Sequence, residues 1–263
     1  MTAPLESDLE IRGTSIKVMR AGVGESLLLL RGTDASDTWR PWMDRLAAHF
    51  DVIVPEHPGF GGRPMPPWLD RVGDYGHFYL DFIDVLGLDR LHLVGTSLGG
   101  WIAAEMAHHA PRALRSVTLV GAAGIRLADV DGVDIFLRTE EDGLRDRFHD
   151  QKRAEAEIER MLRPETEDVR LANSIAVARV AWSPRLYDPQ LQKWLHRIKA
   201  PVLIVWGEED RVFPKAYAAA FQSGIPGAKL ALLPACGHWV AHEKPDALVE
   251  AIVGFVQAGG WQA

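Results

Sequence analysis

The sequence predicts an α/β protein: a mostly parallel, doubly wound sheet of about eight strands with a helical cap inserted over one end. Three observations carry this. Short apolar runs alternate with amphipathic stretches along most of the chain, the pattern of repeated β–α units. Some runs are apolar throughout, as strands covered on both faces must be. The alternation lapses only over residues 125–195, which are charged and helical in period.

The elements follow in order. "LEIRGTSIKVMRAG" reads as a hairpin turning at Gly13, and "SLLLLRG" as a buried strand. "RPWMDRLAAHF" has helical spacing, and "DVIVPEHPGFGG" is a strand entering a Pro/Gly loop. "YGHFYLDFIDVLGL" is a helix closing on Gly87. "RLHLVG" is a strand, "LGGWIAAEMAHHA" a helix that stops before Pro111, and "LRSVTLVG" the next strand. After the helical block, "APVLIVWGEED" and "AKLALLP" are strands on either side of a helix at "PKAYAAAFQSG". "KPDALVEAIVGFVQA" is the closing helix. The expected division is a core of residues 1–124 and 196–263 with a cap at 125–195.

The 263 residues suffice for one large α/β domain with a substantial core. Hydrophobic residues make up 47% and charged ones 25%, an ordinary globular balance. A net charge of −7, spread along the chain, argues against a nucleic-acid partner. The one cysteine, Cys236, rules out an intrachain disulfide framework and a CxxC metal site. No apolar run reaches the length of a membrane span. The opening "MTAPLESDLEIRG" has neither a basic nor an apolar leader segment, so a cytoplasmic location is the expectation.

One junction carries chemistry. "HLVGTSLGGW" contains G-x-S-x-G as Gly95-Thr96-Ser97-Leu98-Gly99, where a strand meets a helix. A sharp turn there lifts the serine hydroxyl above the sheet edge, and residues two away must be small. The bland alternative is a glycine-rich turn with Ser97 as a helix N-cap. A serine hydroxyl is a weak nucleophile and needs a base, which in turn needs an orienting acid. Past a late strand the chain offers Glu208, Glu209 and Asp210, and past the last strand His238 and His242.

The segments "PEHPGFGG", "HLVGTSLGGW", "WGEEDRVFP" and "CGHWVAHEKP" resemble the α/β-hydrolase superfamily, in particular serine members with a short helical cap. The resemblance implies the α/β-hydrolase fold, with Ser97 as nucleophile, Asp210 as acid and His238 as base. It implies an oxyanion hole from the backbone of Leu98 and of Thr33, with Trp239 at the substrate, no metal and no cofactor. Two departures stand out. Arg31-Gly32 replaces the usual His-Gly at the head of the oxyanion loop, and His57 stands where relatives carry aspartate; His57 is expected to be structural. His242 is expected to be a capping or surface residue, and Cys236 a buried thiol. Phe136, Phe148, Trp182, Tyr187 and Trp194 are either cap core or pocket lining.

The implied activity is hydrolysis of a small-molecule carboxylic ester, apolar or aromatic, through an acyl-enzyme. One alternative is a C–C hydrolase acting on a vinylogous diketone ring-fission product, suggested by Trp239 after His238. Another is a ligand-binding member of the fold with slow or absent catalysis.

Overall fold

The computed structural model describes residues 3–33 and 38–259. The first hairpin pairs β1 (Leu5–Ile11) with β2 (Thr14–Ala21). Its turn residues Arg12 and Gly13 have φ of 52° and 72°, the left-handed pair that a type I′ hairpin requires. There follow β3 (Ser26–Leu30), α1 (Pro41–Ala47), β4 (Asp51–Pro55), α2 (Val72–Val85), β5 (Leu91–Thr96), α3 (Leu98–His109) and β6 (Leu114–Val120).

Between β6 and the next strand the described chain holds only helices and irregular segments. These are α4 (Glu140–Asp146), α5 (Gln151–Met161), α6 (Glu167–Ala181) and α7 (Leu191–Trp194), with a single bridge from Gly124 to Tyr187. The sheet resumes with β7 (Val202–Gly207), α8 (Ala216–Gly224) and β8 (Lys229–Leu233). The closing helix comes in two pieces, a short α9 (Val240–Glu243) and α10 (Pro245–Gln257). Pro245 explains the break, since it opens α10 and lacks the N–H that would continue α9.

The eight strands form one sheet in the order β1-β2-β4-β3-β5-β6-β7-β8. β2 runs antiparallel to both neighbours, and every other ladder outside the hairpin is parallel. The "LLLL" of β3 shows why the strands are apolar throughout. Leu28 and Leu30 face a core built with α2, α3 and α8, while Leu27 and Leu29 face a second core built with α1 and α10. From β3 the chain steps outward to β4, then returns to β5 on the other side of β3. The strand order therefore reverses between β3 and β5, and the crevice beyond their carboxyl ends is where such sheets place a ligand.

Candidate active site

The loop after β5 contains Ser97, which sits in that crevice. Its backbone has φ 52° and ψ −114°, a conformation costly for any residue with a Cβ. Neighbours hold it there. Ser97 N–H donates to the Val120 carbonyl on β6 at 2.9 Å, and the Ser97 carbonyl accepts from Ala123 and Trp101, both at 3.1 Å. The flanking glycines are sterically required. A Cβ on Gly95 would lie 2.2 Å from the Gly99 carbonyl oxygen, and one on Gly99 would lie 2.1 Å from that of Leu30. The bare Gly99 lets the end of β3 press against the first turn of α3.

The three residues expected to act together are brought together. His238 Nε2 is 2.9 Å from Ser97 Oγ, and His238 Nδ1 is 2.9 Å from Asp210 Oδ2. The second Asp210 oxygen accepts the backbone N–H groups of Val212 and Phe213, each at 2.9 Å. Asp210 and His238 are buried. A carboxylate only accepts, so Nδ1 carries the imidazole proton and Nε2 presents its lone pair to the serine hydroxyl. That tautomer can take the hydroxyl proton as the oxygen attacks a carbonyl. Phe213 packs on the imidazole at 5.4 Å between ring centroids.

The competing acids go elsewhere. Glu209 Oε2 accepts the Cys236 N–H at 2.9 Å, and that bond holds its carboxyl below the usual range. Glu208 has no contact with His238 among the described residues. Cys236 is fully buried, and burial pushes its thiol up to about 12.

Arg31 is buried, and its Nη1 donates to the Thr38 carbonyl at 3.3 Å, closing the ends of the loop after β3. Residues 34–37 of that loop lie outside the described residues. The histidine missing at position 31 has a functional substitute that the sequence did not reveal. His57 is fully buried, donates from Nε2 to the Arg31 carbonyl at 2.8 Å, and accepts at Nδ1 from the Tyr79 hydroxyl at 2.6 Å. Burial holds the Tyr79 phenol protonated, well above its ordinary pKa. His57 has a structural part, bracing the base of the loop after β3. Leu98 opens α3, so its N–H belongs to the first turn, where helix amides have no partner within the helix.

A cavity of about 890 Å³ lies beneath α4, α5 and α6, and Thr33 and Trp239 are both in its wall. Ser97 is half-buried and not part of the wall. Lys17, Arg40, Arg63, Arg138, Arg147, Arg160 and Arg170 line it with Glu56, Glu140 and Glu165, and Lys17, Arg40, Arg63, Arg138, Arg160 and Arg170 each pair with a carboxylate. Among the five aromatic residues in question only Phe136 reaches the cavity. Phe148 is buried in a small core with Leu144, Ile158 and Trp239, and Trp182 and Trp194 are largely exposed.

Trp239 holds the helical segment to the histidine loop. Its ring meets Phe148 edge-on at 5.3 Å, the Arg147 guanidinium lies over it at 5.4 Å, and the Trp239 backbone N–H donates to the Arg147 carbonyl. His242 is not a surface residue: it stacks on Trp239 at 4.6 Å and lies 3.9 Å from Glu157 on α5. Its proximity is the leading reason the Glu157 carboxyl falls to about 2. Glu243, unremarked in the sequence, accepts N–H groups from Gly237 (2.6 Å), Asp150 (2.7 Å) and His149 (3.0 Å). Arg211, beside Asp210, donates to the carbonyls of Arg145 and Phe148.

This fold, with a serine on a strained strand–helix turn and a buried His–Asp pair behind it, defines an α/β-fold hydrolase. Residues 27–245 match the family model described as alpha/beta hydrolase fold, and the chain belongs to that family. It is 28% identical, over 91% of its length and 90% of the relative's, to a 2-hydroxy-6-oxo-6-phenylhexa-2,4-dienoate hydrolase of Burkholderia cepacia. Among solved structures, a meta-cleavage product hydrolase from Pseudomonas fluorescens IP01 superposes with a TM-score of 0.79 at 22% identity, over 95% of this chain and 97% of that one. Naproxen esterase from Bacillus subtilis superposes with a TM-score of 0.77 at 19% identity, over 96% and 91%. These two likenesses are of fold. Among the described residues no helix is long and apolar enough to cross a membrane.

Proposed function

We propose that Ser97, His238 and Asp210 are the catalytic triad of a serine hydrolase that cleaves a small carboxylic ester. The unbroken hydrogen-bonded chain from Ser97 Oγ through both imidazole nitrogens to a buried carboxylate carries this reading. Ser97 attacks the substrate carbonyl while His238 takes its proton, and the Leu98 and Thr33 amides hold the oxyanion. His238 then protonates the leaving alkoxide. Water, deprotonated by the same imidazole, releases the acyl group from Ser97. Each oxyanion donor contributes about 3–4 kcal/mol to the transition state. The helical segment over residues 125–195 acts as the cap that closes the cavity. The loop "RGTDAS" favours the ester reading, because it lacks the glycine-rich oxyanion loop of ring-fission hydrolases.

A second reading is favoured by specific observations. Trp239 follows the base, and the Burkholderia relative is named for a dienoate. Here the same triad would cleave a C–C bond beside a ketone. A panel of aryl esters of graded acyl length and one ring-fission dienone, given to wild type and Ser97→Ala, tests both. Ester turnover lost in the variant is the expected result. Dienone turnover exceeding that of every ester establishes the second reading instead. No substrate hydrolysed by wild type and spared by the variant overturns both, and leaves the ligand-binding alternative.

A further inference from the structure

The end of α3 remote from Ser97 carries a second cluster of reactive side chains that the hydrolytic site does not use. Glu105, His108 and His109 each present a ligand atom, and these atoms lie within 4.8 Å of one another. Glu105 Oε2 is 2.9 Å from His108 Nε2 and 3.9 Å from His109 Nε2. Glu105 and His108 are buried, while His109 is 39% exposed and leaves an entry path from solvent.

The spacing is that of helix-borne metal ligands. Glu and His at i and i+3 share a face, and the i and i+4 pair adds a third donor one turn on. The carboxylate is already oriented from behind: Trp101 Nε1 donates to Glu105 Oε1 at 3.0 Å. Partners of this kind fix ligand geometry around metals. The two histidines occupy the last turn of α3, where the carbonyl end of the helix dipole favours a cation. A further imidazole stands on the neighbouring helix. Gly76 lets α2 approach α3 closely, since a Cβ there would lie 2.9 Å from that of Glu105. The next residue, His77, is exposed and sets its ring 4.8 Å from that of His109.

From this geometry we propose that Glu105, His108 and His109, with His77 closing the fourth position, form a binding site for a divalent transition ion of the Zn²⁺ class. Two or three imidazoles and one carboxylate are a donor set suited to Zn²⁺ and poorly suited to Mg²⁺ or Ca²⁺. The ion would pin α2 to α3 behind the nucleophile turn. Its place, some two helical turns below Ser97, gives it a structural role outside the hydrolytic chemistry.

The test is titration of untagged, metal-stripped protein with Zn²⁺ by calorimetry, with Co²⁺ absorption as a spectroscopic check and thermal unfolding with and without Zn²⁺. Wild type should bind one Zn²⁺ per chain, show the visible bands of low-coordinate Co²⁺, and unfold at higher temperature with Zn²⁺. His109→Ala, a partly exposed change that leaves the core intact, should weaken binding by about tenfold or more and abolish the thermal shift. Glu105→Gln, which keeps volume and an oxygen for Trp101, should do the same. Absence of saturable binding, or an affinity unchanged in His109→Ala, overturns the site. An affinity unchanged in His77→Ala overturns the assignment of the fourth ligand. His238→Ala should leave the affinity unchanged, and loss of binding in that variant would move the ion to the triad and overturn the proposal.

Discussion

Glu243 accepts the backbone N–H of Gly237 at 2.6 Å, immediately before the base His238, and with its other oxygen holds the amides of His149 and Asp150. One buried carboxylate therefore sets both the histidine loop and the start of α5. Glu243→Ala leaves these donors without their acceptor, at about 1–3 kcal/mol for each that stays unsatisfied. The melting temperature should fall, and kcat should fall with it because His238 loses its fixed position. Thermal unfolding and steady-state kinetics on the same preparation check both.

Asp210→Asn should fold normally and lose about 10⁴-fold in kcat. The asparagine oxygen can still accept from Val212 and Phe213, so the loop is kept. The amide N–H₂ then faces His238 Nδ1 and forces the proton onto Nε2, where it opposes the Ser97 hydroxyl. Near-native circular dichroism with lost turnover is the expected pair of results.

Gly99→Ala should displace the end of β3, because the new methyl would lie 2.1 Å from the Leu30 carbonyl oxygen. On the proposed role of Thr33 as second oxyanion donor, its displacement with that strand lowers kcat by about 10²–10³. The expected signature is a fall in kcat larger than any change in KM.

Cys236 should resist thiol reagents in the folded protein. Its thiol is buried and pushed up to about 12, so almost no thiolate exists at pH 8. Titration with a disulfide reagent should show no reaction until denaturant is added, and Cys236→Ala should keep its activity.

His92 should make the fold acid-sensitive. Burial depresses its folded-state pKa below the ordinary 6.5, overriding the opposing pull of Glu25. Between those two values the unfolded chain binds more protons, so this contribution is full above pH 6.5 and is lost as pH falls through the folded value. Urea midpoints should decrease from pH 7.5 to pH 5.5, and His92→Gln should flatten that decrease.

Much of the fold was legible because its signals are local. Alternating runs marked the strands, Gly87 and Pro111 ended helices, and the glycines around Ser97 marked a turn no bulkier sequence could make. Asp210 and His238 were legible as positions in motifs, and the structure brings both to Ser97. What escaped rests on pairs far apart in the chain. His57 reaches the Arg31 carbonyl across 26 residues, and Glu243 reaches Asp150 across 93. His242 looked like a helix start but lies in the short α9 and stacks on Trp239, which only the packing of distant segments reveals. The cluster around Glu105 was equally hidden. The sequence showed two histidines on a helix end, against an expectation of no metal, and His77 lies on another helix.

The bonds made by Arg211 and Glu243 fasten the α4–α5 edge of the helical segment to the loops that carry Asp210 and His238. The α6 edge is held by burial of Ala176, Val177, Val180 and Ala181 in the main core, beside bonds from the Gly61 amide to Asn173 and from Arg179 to Asp70. The two edges of the helical segment are thus held differently, by hydrogen bonds and a small separate core on one side and by packing into the main core on the other.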